Sequence, residues 1–210
     1  MQRMNKSEKF WDRIANQWDK QGNKLDQTSI KAIENTKKYL NISDIVLDYA
    51  LGIGTITNEI AANVKEIHAI DISSRMIEVA KIRSGESNIE NVHYAQSTIF
   101  DERYKKDSFN VIMAFNILHL LEDTHKVMRR INELLKPGGL FISATPCLGE
   151  KWAILGIFIS LLSIIGIVPF LKMHKFSDLE DLIANGDFQI VEAENLHQTQ
   201  PNYFIVAKKL

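Results

Sequence analysis

The sequence predicts an α/β fold, a doubly wound sheet of seven mostly parallel strands with helices on both faces. Two observations carry this. Short apolar runs alternate with helical patterns from residue 44 onward. The 210 residues, 45% hydrophobic and 24% charged, also suit one soluble domain. The runs at 44–49, 66–70, 92–95, 109–115 and 140–144 read as strands. Between them, 55–64, 74–83 and 123–135 have helical patterns, the last ending on Lys136, Pro137, Gly138 and Gly139. Proline and glycine there stop a helix and turn the chain into the next strand. A helix at 177–185 and strands at 188–193 and 203–207 complete the pattern.

Residues 7–40 read as helical, with Ser7 capping a helix that carries Phe10, Trp11, Ile14 and Trp18. A second helix is expected from about 28 to 40. The whole chain, 1–210, is expected to be a single domain, with no repeats or low-complexity tracts. Within it lie a helical arm (1–40), a core (41–146), an apolar insert (147–175) and a C-terminal helix with its strands (176–210).

Charge and cysteine content narrow the function. With 25 Lys and Arg against 26 Asp and Glu, the net charge of -1 gives no general attraction to a phosphate backbone, so no nucleic-acid partner is expected. The single cysteine, Cys147, cannot form an internal disulfide, and the polar residues 1–9 lack a signal-peptide core. A cytoplasmic protein is expected. The six histidines show no ligand spacing, so no metal is expected.

The chemistry concentrates at two strand ends. The first strand runs into Asp48-Tyr49-Ala50-Leu51-Gly52-Ile53-Gly54-Thr55, and a Gly-x-Gly turn lets backbone approach a ligand beside a helix N-terminus. The second ends at Asp71, 23 residues beyond Asp48, where a carboxylate can accept from both ribose hydroxyls. Together they point to a nucleoside-containing cofactor. A dinucleotide fingerprint needs a third glycine at 57, where Thr57 stands, which argues against a nicotinamide-linked oxidoreductase.

At this point the chain resembles the class I S-adenosylmethionine-dependent methyltransferases, of the small-molecule type found in quinone pathways. Asp48-x-Ala50-x-Gly52-x-Gly54 follows their first-strand motif, with Ala50 in place of a glycine. The resemblance continues through Ala69-Ile70-Asp71-Ile72-Ser73, Asp107 to Ile112, Asn116-Ile117-Leu118-His119 and Leu134 to Gly139, and Phe10 to Asp19 resembles the arm before the domain. It implies a Rossmann-like sheet with the last strand antiparallel, and S-adenosyl-L-methionine as cofactor. By position it implies that Asp48, Tyr49, Ala50, Gly52 and Gly54 face the methionine portion. Asp71 would hold the ribose, Ile72 and Met76 flank the adenine, Ser97 and Thr98 line its edge, and Asn116 sit near the methionyl end.

Two departures bear on affinity. Ala50 costs about 1 kcal/mol if the backbone there is left-handed. Ser97 stands where an acidic acceptor is common, and a serine without charge assistance is expected to bind the adenine amino group more weakly. Ile117 follows Asn116 instead of Pro-Pro-aromatic, which argues against methylation of base or glutamine amides. A sulfonium methyl is already activated, so transfer needs a well-held nucleophile and, for oxygen, a base. His119, past the fourth strand, is the candidate base. Its structural alternative is packing or capping.

From 152 to 171 run 20 residues without a charge. A true membrane span would put the last strands across the bilayer from their sheet, and Gly156, Gly166 and Pro169 interrupt it. Three readings remain: a lid over an apolar acceptor carrying Phe158 and Leu162, with Trp18 from the arm; peripheral membrane contact; or a homodimer face or plain core. The expected activity is methyl transfer to a small, rather hydrophobic acceptor, with oxygen favoured over N, S and C. The competing class is a non-catalytic S-adenosyl-ligand-binding or membrane-associated protein.

Overall fold

The structure is a computed structural model that describes residues 6–21, 25–150 and 170–210. The chain divides into two compact units, Met1–Glu102 and Arg103–Leu210.

The first unit opens with α1 (Lys6–Gln21) and α2 (Gln27–Lys37), then β1 (Ile45–Tyr49), α3 (Thr55–Ile60), a 3-10 turn (Ala61–Asn63), β2 (Glu66–Asp71), α4 (Ser74–Glu86) and β3 (Val92–Gln96). The strands pair parallel in the order β3-β2-β1, with Tyr49 opposite Ile70 and Asp71 opposite Gln96. Carboxyl ends therefore share one edge, which brings the two turns singled out in the sequence side by side. Val46, Leu47, Ile67 and Ile70 are fully buried, as are Ile60 of α3 and Ala80 in the middle of α4. At roughly 1.5–3 kcal/mol for each large side chain, this burial outweighs any local propensity.

The helix starts depart from expectation. Ser7 lies inside α1, which runs from Lys6. Asp26 caps α2, its carboxylate accepting from the Ser29 N–H at 2.7 Å, so that helix begins at Gln27. The third helical pattern splits, its last turn tightening to 3-10.

The second unit contains β4 (Phe109–Phe115), a 3-10 turn (Leu118–Leu120), α5 (Thr124–Leu134), β5 (Leu135–Pro146), a 3-10 turn (Leu148–Glu150), α6 (Phe176–Ala184), β6 (Phe188–Asn195) and β7 (Asn202–Lys209). Its order is β4-β5-β7-β6, and β7 runs antiparallel to both neighbours. Asp123 caps α5 through the Lys126 N–H at 2.8 Å, and Val127, Met128, Ile131 and Leu134 form its buried face at helical spacing. The Lys136–Gly139 segment does not precede β5 but bulges within it: Phe109 pairs with Leu135 and Val111 with Leu140. Gly139 belongs there because a Cβ would lie 2.9 Å from the Asn110 carbonyl oxygen.

The strand order of the seven-stranded sheet is β3-β2-β1-β4-β5-β7-β6. Among the described residues, no helix is long and apolar enough to cross a membrane. Most of 152–171, with Phe158 and Leu162, lies outside the described residues.

Candidate active site

The first unit builds a cradle from the β1 turn. Ala50, Gly52 and Gly54 all have positive φ, at 65°, 60° and 77°. Left-handed backbone at every second position folds the strand end into a tight turn that side chains do not crowd, which lets a ligand approach the main chain closely. The Ala50 and Leu51 N–H groups donate to the Ile70 carbonyl at 2.8 and 3.1 Å, locking the turn to β2. Glycine is required at 54, where a Cβ would lie 3.0 Å from the Ala80 Cβ. A Cβ at Gly52 would stand 3.6 Å from Cζ3 of Trp18. Trp18, 38% exposed, thus stands over the turn, its ring 6.3 Å from that of Trp11.

Asp71 ties this cradle together. It is 8% exposed, and its Oδ2 accepts from the Gly52 N–H at 3.1 Å while Oδ1 accepts from the Ser73 N–H at 2.9 Å. A carboxylate has about four acceptor positions, and with the Gly52, Ser73 and Ile72 N–H groups turned toward it at least one remains for a further hydroxyl. Such an acceptor suits a vicinal diol such as a ribose. Burial raises the Asp71 carboxyl to about 6, against the backbone N–H bonds that lower it and with help from Asp12 nearby.

Asp48 lies behind the turn, 3% exposed, with Oδ2 accepting from the Thr57 hydroxyl at 2.5 Å. Burial again lifts it to about 6; the Thr57 bond opposes this and the Asp71 charge adds to it. Thr57, which in the sequence marked only a missing glycine, is thus the partner of a buried carboxylate. Replacing it with valine should destabilise the protein by about 1–3 kcal/mol at pH 7 and less at pH 5, where Asp48 carries a proton. Urea denaturation at the two pH values measures this. Tyr49 is buried beside them, and burial with the Asp71 charge pushes its phenol up to about 12.

The remaining predicted positions on this edge fall as follows. Ile72 is half-buried, while Met76 is 1% exposed and packs into the core. Ser97 follows β3, its N–H donating to the Asp71 carbonyl at 2.9 Å, and Thr98 beside it is exposed. The arm adds contacts that no motif signalled: Asp12 accepts from the Ser73 hydroxyl at 2.6 Å, Asn16 from the Arg75 Nε at 2.9 Å and Glu8 from the Gln96 amide at 2.7 Å. These fasten α1 to the start of α4 and the end of β3.

In the second unit, Asn116 leaves β4 with φ 54° and accepts from the Asn202 side-chain amide at 3.4 Å. Asparagine is among the few non-glycine residues that tolerate this backbone. His119 sits in the following 3-10 turn, its carbonyl accepting from the Lys172 N–H at 2.7 Å. Its Nδ1 is buried without a hydrogen-bond partner among the described residues. Burial, with His174 adding, lowers it to about 4, so its imidazole is neutral at physiological pH. His174 is 1% exposed and lowered likewise by burial and by Lys172; the Leu118 carbonyl acts the other way without a hydrogen bond of good geometry. Among the described residues no group of three or more His, Cys, Asp or Glu side chains is placed to hold a metal.

Comparisons with known proteins bear on the family and the fold. The family described as "Methyltransferase domain" matches residues 40–201. The ubiquinone biosynthesis O-methyltransferase of Rickettsia felis is 27% identical over 202 residues, covering 90% of this chain and 82% of that protein. The solved structure of the YcgJ protein from Bacillus subtilis superposes with a TM-score of 0.69 at 17% identity, over 85% of this chain and 98% of that one. The [4+2]-cyclase SpnF also superposes, with a TM-score of 0.68 at 14% identity over 86% and 79% of the two chains. A cyclase on this fold shows that the fold alone does not fix the reaction. What fixes the family is the sequence match across most of the chain: the protein belongs to the class I S-adenosylmethionine-dependent methyltransferases.

Proposed function

We propose that the chain transfers a methyl group from S-adenosylmethionine to a hydroxyl of a small, rather apolar acceptor. The observation that carries the cofactor reading is Asp71, a buried carboxylate bonded to the cradle turn and to the α4 cap with acceptor capacity left for a ligand hydroxyl. When bound, the cofactor supplies a methyl group on a sulfonium, already activated for in-line displacement. Asp71 holds the ribose, the backbone at 50–54 receives the methionyl portion, and Asp48 orients its amino group. The family resemblance alone assigns Asn116 to the same portion. Ile72 and Met76 back the adenine, with Ser97 and Thr98 along its edge.

His119 takes the acceptor's proton. A neutral imidazole with an unpartnered Nδ1 needs no prior deprotonation at pH 7. An oxygen acceptor is supported by relatives named for ubiquinone biosynthesis O-methylation, and an apolar one by the uncharged run at 152–171 as a lid with Trp18. Methyl-labelled cofactor offered with an alkyl-substituted catechol and with a carboxylated one tests this. Faster labelling of the alkyl compound is expected. Label in neither, or equal labelling of both, contradicts the acceptor reading.

A further inference from the structure

Ser97 stands at the tip of β3, and its hydroxyl donates to Oδ2 of Asp101 at 2.8 Å, with the Thr98 carbonyl a longer alternative at 3.3 Å. Asp101 is brought there by a tight turn: its N–H donates to the Thr98 carbonyl at 3.1 Å, and the Phe100 N–H donates to Thr98 Oγ1 at 3.3 Å. A hydroxyl has one proton and two lone pairs. With the proton committed to a carboxylate, Ser97 Oγ faces outward only as an acceptor, and the neighbouring negative charge strengthens it in that role.

From this geometry we infer that Asp101 is a specificity-determining positioning residue, which makes Ser97 an obligate acceptor for an exocyclic amino group and so selects adenine over a 6-oxopurine. The inference rests on the cofactor reading above. A purine on a ribose held at Asp71 extends toward the next strand tip, and the Ser97 N–H bond to the Asp71 carbonyl makes that tip Ser97. The amino group of adenine donates to the waiting oxygen. A 6-oxopurine presents its own acceptor there, and two acceptors face each other with no proton between them. Without Asp101 the hydroxyl turns freely and donates to the oxo group, so the discrimination disappears. Ser97 thus acts as a charge-assisted acceptor even though the acid stands four residues further along the chain.

The test is calorimetric binding of S-adenosylhomocysteine and of S-inosylhomocysteine, its 6-oxo counterpart. Wild-type protein should prefer the amino compound by about tenfold or more. In Asp101→Ala the preference should fall to within about threefold, through weaker binding of the amino compound and equal or tighter binding of the oxo compound. Ser97→Ala should lose the preference as well, and adding Asp101→Ala to it should change nothing further. A merely structural Asp101 would weaken both ligands together and leave the ratio intact. A wild-type protein that binds both equally, an Asp101→Ala or Ser97→Ala variant that keeps the wild-type ratio, or a full Asp101 effect without Ser97 overturns the proposal. Failure of the wild type to bind either compound would instead remove the cofactor reading itself.

Discussion

Asp71→Asn is expected to make the ligand-free protein more stable at pH 7 while weakening S-adenosylhomocysteine binding by roughly ten- to a hundredfold. Both effects come from one fact, a carboxylate kept 8% exposed at the base of the cradle. Its carboxyl is raised from 3.8 to about 6. The folded protein therefore holds this proton more tightly than the unfolded chain, and stability falls as pH rises from about 4 to 6. The full shift corresponds to about 3 kcal/mol at pH 7. An asparagine recovers about 1–2 kcal/mol of it, because its amide nitrogen cannot accept the second backbone N–H that Asp71 now accepts. His119 acts in the opposite sense, since its value is lowered from 6.5 to about 4 and its contribution grows as pH rises through that range. Asp48 carries a shift of the same sign as Asp71, so the wild-type profile mixes three groups, and the difference between variant and wild type isolates the Asp71 slope. Denaturant titrations at pH 4, 6 and 7 should show the advantage of Asp71→Asn growing with pH. A variant less stable than wild type at pH 7 would show that the carboxylate is not under strain. A stabilising substitution that costs binding is what an activity-adapted site predicts.

His119→Ala should lower kcat for a phenolic acceptor by about a hundredfold, with S-adenosylhomocysteine affinity within about twofold of wild type. The pH dependence is the sharper readout. A base lowered to about 4 stays deprotonated across the neutral and mildly acid range. The wild-type rate should not fall between pH 8 and 5.5 for want of a base, as it would with an ordinary imidazole. An unchanged kcat in the variant would return His119 to packing against the segment that carries Lys172 and His174, and a wild-type rate that halves near pH 6.5 would show a base of ordinary strength in place of one lowered by burial.

Much of the fold was legible because buried parallel strands leave continuous apolar runs, and 109–115 matches β4 residue for residue. The cradle was legible because Gly52, Gly54 and Asp71 do their work through local backbone and a strand tip. The partners of those residues were not. Thr57 reaches Asp48 because the first turn of α3 aims it back across nine positions, which no spacing rule encodes. Asp101 reaches Ser97 through a four-residue turn without proline or glycine to announce it. The Pro-Gly-Gly segment was read as a stop, since the residues that end a helix are the same ones that permit a bulge. Ala50 was flagged as strained if left-handed, and its φ of 65° bears that out.

We propose that the β1 turn and the tips of β2 and β3 form one cofactor cradle. Hydrogen–deuterium exchange of the whole chain, with and without S-adenosylhomocysteine, tests it most directly. Slowed exchange is expected in peptides covering residues 50–54, 71–73 and 97–98, lost in the Asp71→Ala variant at the same ligand concentration. Protection elsewhere with none in these three segments, or protection that survives Asp71→Ala unchanged, would contradict it.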